Sequence, residues 1–133
     1  MVTKTQSTVS GGVNYLLRLE GFTMFVFTLM SYEFLQFDWG TFVLLFFIPD
    51  LALFAYIAGP RAGAVCYNAT HTYILPLILF ATGFFRNNPD VESWAIVWMA
   101  HIGFDRSLGF GLKYSRGFRY THLRKLGHSA EAE

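Results

Sequence analysis

Two polar pairs at helical spacing stand out in an oily chain: His101 with Asp105, four residues apart, and Asn68 with His71, three apart. On an α-helix either spacing puts both side chains on one face. Asp50 and Glu20 add carboxylates in other apolar stretches, and Arg61 and Arg106 add guanidinium groups. Three chemistries can use this set. His71, His101 and Asp105 are the ligand types of a zinc or non-haem iron site. Alternatively Asp50, taken out of water, would be a general acid or base toward a lipophilic substrate, which Glu20, Arg61, Asn68 and Arg106 would bind and orient. Third, an oligomeric channel or transporter could pass protons or a cation along the same groups. Beside these stands a structural reading. Glu20, Asp50 and Asp105 balance Arg18, Arg61 and Arg106, and such an ion-pair network could simply hold helices together.

The elements that must position these groups are apolar spans. Of 133 residues, 53% are hydrophobic and only 14% charged, with Phe appearing 15 times. A soluble domain has about a quarter of its residues charged, so this composition implies a membrane protein. Residues 1–12 read as a flexible polar segment, with no cleavable signal peptide expected. Residues 13–114 read as four spans, near 13–36, 41–58, 61–85 and 91–114, each close to the twenty or so residues that cross a hydrocarbon core. Asp38-Trp39-Gly40, Gly59-Pro60 and Arg86 to Asp90 supply the turns. Pro76 would kink the third span. Residues 115–133 form a basic tail.

Charge asymmetry orients the chain. With four spans, one side carries Lys4, Arg61, Lys113, Arg116, Arg119, Arg124 and Lys125, and the other only Arg86. The positive-inside bias predicts both termini in the cytoplasm, with Trp39 and Trp94 in the outer aromatic belt. Counting inward at the helical rise places Glu20, Asp50, Asn68, His71, His101 and Asp105 in one slab roughly 10–18 Å below the cytoplasmic surface. Ionisable groups at that depth are costly and should face one another. Gly103, Ser107 and Gly111 form a small-residue stripe on roughly the opposite helix face, where a neighbouring helix or a second copy could pack. A net charge of +1 argues against nucleic acid, and the lone Cys66 excludes an intrachain disulfide and reads as a packing residue.

Pro49-Asp50, Gly59-Pro60-Arg61-Ala-Gly63, Tyr67-Asn68 with His71-Thr72-Tyr73 and Pro76, Ala100 to Arg106, Gly111-Leu-Lys113-Tyr114 and Thr121-His122-Leu123 together resemble a family of short bacterial membrane proteins, domain-of-unknown-function 4260. The resemblance covers about residues 17–123 and supports the fold and the choice of residues while naming no reaction. The expectation is an all-α, four-helix transmembrane bundle in a bacterial inner membrane, N-in and C-in. Its leading activity is that of a membrane-embedded enzyme acting on a hydrophobic or lipid-like substrate, metal-assisted by zinc or iron.

Overall fold

Residues 11–110 are described in a computed structural model of the chain, and every regular element among them is helical. Helix α1 spans Gly12–Phe34, α2 Trp39–Leu45, a 3₁₀ segment Ile48–Ala58, α3 Pro60–Thr70, α4 Ile74–Phe85 and α5 Pro89–Leu108. The stretches Trp39–Ala58 and Pro60–Phe85 are each long and apolar enough to cross a membrane, and little of either is buried inside the protein. α1 and α5 carry more charge and do not reach that apolarity.

The middle of the molecule is α5. It packs against α1 and α4, with a lighter contact to α2, while α3 pairs with the 3₁₀ segment. Ala95, Ile96, Val97, Met99, Ala100 and Ile102 are all buried there. The α1–α5 seam is close because glycine lines it from both sides. A Cβ on Gly103 would lie 2.8 Å from the Gly21 carbonyl oxygen and from the Phe25 nitrogen, and one on Gly21 would strike Arg106 and the Ser107 backbone. Small residues that let backbones approach are the usual device for packing helices in lipid. Here α1 of the same chain covers the stripe at Gly103. Gly111 lies outside the described residues, as do the basic tail and positions 112–114 of the expected fourth span.

Two breaks depart from the expected straight spans. The second rod changes from α to 3₁₀ after Leu45, with Pro49 in the first turn of the new segment. The third rod stops at Thr70 and restarts at Ile74, leaving His71–Tyr73 irregular. Pro76 therefore sits in the first turn of α4, where a missing N–H costs nothing, and not in a helix interior. α5 ends earlier than position 114. Gly109, at φ 90°, takes the left-handed cap, and the Phe110 N–H donates to the Asp105 carbonyl at 2.9 Å, closing a Schellman-type turn.

At the other end of the bundle, the Asp38 carboxylate accepts the Thr41 N–H at 2.8 Å and so caps α2, while the fully buried Tyr32 donates its hydroxyl to the Asp38 carbonyl at 2.6 Å. The Thr41 backbone N–H, and then its hydroxyl, hold the Asp38 carboxyl below the ordinary carboxylate range. A depressed folded pKa stabilises above the unfolded value and loses that contribution as pH falls through the folded one. Asp38→Ala should therefore lower the melting temperature at neutral pH. Its difference from wild type should hold above about pH 5 and close on acidification, read by thermal scans in detergent.

Candidate metal centre

The two backbone breaks touch each other, the Thr70 hydroxyl lying 3.4 Å from the Pro49 carbonyl, and their polar side chains meet those of α5 there. Asp50 comes from the first turn of the 3₁₀ segment, His71 from the cap of α3, and His101 and Asp105 from successive turns of α5. One ligand atom from each of the four lies within 4.8 Å of the others. The His71 Nε2 atom is 3.4 Å from Asp50 Oδ1 and 3.3 Å from Asp105 Oδ2. The His101 Nε2 atom is 3.2 Å from Asp50 Oδ1 and 3.1 Å from Asp105 Oδ2. The two Nε2 atoms are 3.2 Å apart.

Hydrogen bonding decides what those nitrogens offer. His71 Nδ1 lies 2.9 Å from the Tyr67 carbonyl, which can only accept, so Nδ1 carries the ring proton. A neutral His71 then turns its Nε2 lone pair toward two carboxylate oxygens and a second imidazole nitrogen. Without an ion, only an N–H at His101 Nε2 can answer these lone pairs, and His101 Nδ1 is buried with no partner to fix that ring. A cation between them removes the conflict, and a carbonyl fixing the far nitrogen is how metal-binding histidines are usually oriented. Two imidazolium rings would instead aim N–H groups at each other across 3.2 Å. A divalent ion also cancels the two carboxylate charges, leaving a neutral centre in an apolar setting.

The walls are aromatic and tight. The Tyr67 ring lies flat on His71, centroids 3.7 Å apart at 9°, and Phe46 meets His101 edge-on at 5.3 Å. The Thr70 hydroxyl is 2.9 Å from His71 Nδ1, and the Trp98 indole donates to the Thr70 carbonyl at 2.6 Å, tying the α3 end to α5. Arg106 donates from Nη2 to the His71 carbonyl at 3.2 Å, satisfying backbone freed by the break. Access is uneven: the side chains of His71 and His101 are 3% and 1% exposed, Asp105 15% and Asp50 39%.

A model of the family described as a domain of unknown function, DUF4260, matches residues 14–126. The chain belongs to the DUF4260 family. Comparison with curated proteins gives no match, and comparison with solved structures gives none.

Of the residues singled out from sequence, this DUF4260 chain brings Asp50, His71, His101 and Asp105 together, with Arg106 one step removed. Glu20 is not among them: it is exposed on α1 and borders a separate cavity. Arg61 is exposed in the first turn of α3. Asn68 contributes a main-chain carbonyl to the His71 N–H at 3.3 Å. Sequence reading gave no role to Tyr67, Thr70 or Phe46. Tyr67 had a signal, since it lies four residues before His71 and so on the same helix face.

Proposed function

We propose that this protein is a four-span membrane enzyme, both ends cytoplasmic, that holds a divalent zinc or iron ion and acts on a lipophilic substrate. One observation carries the metal: five separations among the four ligand atoms fall between 3.1 and 3.4 Å. Nitrogen and oxygen ligands set tetrahedrally about 2.0–2.1 Å from an ion would be about 3.3–3.4 Å apart. His71, His101 and Asp105, the least exposed three, would be the constant ligands. Asp50, the most exposed, lies at the open side, where it would hold or move a proton. When bound, the ion would polarise an oxygen of the substrate or lower the pKa of a water. Convergence of the four groups on one point favours a centre over a proton or cation relay.

An apolar groove of about 430 Å³ favours the lipophilic substrate. Pro49, Thr70 and Trp98 line it, and the first two are sequence neighbours of Asp50 and His71.

Elemental analysis of detergent-purified protein tests the proposal. About one zinc or iron per chain is expected, and His101→Ala, still helical, should lose it. A metal-free wild type after supplementation with both metals would refute it. Thr70→Val should weaken binding by about tenfold, the low end of the usual range for a supporting hydroxyl, because the Tyr67 carbonyl still orients His71. A chelator competition series reads that loss.

A further inference from the structure

A second cavity, about 420 Å³, opens beside the centre between the N-terminal half of α1 and the C-terminal half of α5. Leu16, Leu19, Glu20, Thr23, Tyr73 and Arg106 line it. Among the described residues the acid–base contacts within 4 Å all belong to the His/Asp cluster, so the Glu20 carboxylate and the Arg106 guanidinium share a cavity without pairing. Its size is that of a small-molecule site. Its walls offer one negative group, one positive group and leucine surface.

We infer that this cavity binds the headgroup of a zwitterionic aminophospholipid, with the phosphate on Arg106, the primary ammonium on Glu20 and the acyl chains along the α1 leucines. A guanidinium fork matches phosphate geometry, and a carboxylate accepts from an ammonium. Both opposite charges of the ligand are answered. A purely anionic headgroup would set its charge beside Glu20 with nothing gained there, and a quaternary ammonium has no N–H to donate. The inference deepens the proposed function and rests on its reading of the chain as embedded in lipid. Arg106 directly follows the ligand Asp105 and donates to the His71 carbonyl, so an occupant would lie one residue from the centre.

Native mass spectrometry of the full-length protein with dihexanoyl phosphatidylethanolamine, phosphatidylcholine and phosphatidylglycerol tests this, with metal content read on the same samples. Wild type should retain phosphatidylethanolamine about tenfold better than either competitor. Glu20→Gln, at an exposed position, should erase that preference over phosphatidylcholine and leave phosphatidylcholine retention unchanged. Arg106→Gln should weaken all three lipids. Equal retention of the three by wild type, a preference for phosphatidylglycerol, or a phosphatidylethanolamine preference that survives Glu20→Gln would each overturn the inference. Metal retained alongside equal lipid binding removes this site alone. Lipid preference without metal removes the metal reading alone.

Discussion

Asp105→Asn will lower the melting temperature of the metal-loaded protein far more than that of the metal-stripped protein. The difference in size follows from the geometry. With an ion bound, Asp105 supplies a charged ligand. Structural zinc sites bind with about 10–16 kcal/mol over four ligands, so one ligand is worth about 2.5–4 kcal/mol, or roughly 10²–10³ in affinity. That loss reaches the melting temperature through mass action. Without the ion, Asp105 Oδ2 faces the Nε2 atoms of His71 and His101 at 3.3 and 3.1 Å. A neutral His71 offers no proton there, because its Nδ1 proton is engaged by the Tyr67 carbonyl, which leaves the His101 contact to hold Asp105. An asparagine amide removes a negative charge and brings an N–H that can donate to that nitrogen. Calorimetry with and without a chelator, on both proteins, gives the four values required. A purely structural ion-pair network predicts otherwise: breaking a buried pair costs about 3–5 kcal/mol whatever the metal content, and chelation of wild type would change nothing.

How much of this centre was legible in the sequence depends on the element that carries each residue. His101 and Asp105 were fully legible because α5 is a regular helix through both, and a spacing of four fixes their common face. Asp50 and His71 were legible as types but not as positions. Counting at 1.5 Å per residue assumes continuous α-helix, whereas the 3₁₀ segment rises about 2.0 Å per residue and turns by three residues, not 3.6. Asp50 is therefore deeper below Ala58, and rotated, relative to that count. His71 was expected on the face of Asn68 within one helix. The chain breaks at His71 instead, so the imidazole is aimed by its own bond to the Tyr67 carbonyl. Glu20 shows the limit of depth alone. It has the expected height on α1, but Gly21 is the residue that faces α5, and one step of about 100° turns Glu20 away from the centre. Pairing partners decide facing, and a single chain of letters does not display them.

The breaks and the centre are connected physically. A straight α-helix through residues 39–58 or 60–85 satisfies its own backbone and turns no carbonyl toward a neighbour. Interrupting both rods near Ile48 and His71 frees backbone groups, which Thr70, Trp98 and Arg106 then satisfy. Irregular backbone at membrane depth is tolerated only where protein or a cavity covers it. An eleven-residue 3₁₀ segment is far longer than the usual run of three or four, and such segments commonly mark functional regions.

Gly103→Leu will empty the centre without touching a ligand. Gly103 lies between His101 and Asp105, on the face toward α1, and a Cβ there meets Gly21 O and Phe25 N at 2.8 Å and Phe25 Cα at 3.2 Å. All three are backbone atoms of α1, so no side-chain rotation relieves the clash, and the helices must separate. Overpacking that forces backbone to move costs about 1–3 kcal/mol. Separation also takes the α5 ligands away from Asp50 and His71, which stand on other rods. The expected result is a helical, membrane-extracted protein whose melting temperature falls and whose metal content drops well below one per chain, with Gly103→Ala intermediate. Gly12→Ala is the control: a Cβ there meets nothing within 4 Å, and alanine at a helical position is neutral or slightly stabilising. Full metal retention in Gly103→Leu would mean that α5 does not hold its ligands in register through the seam with α1.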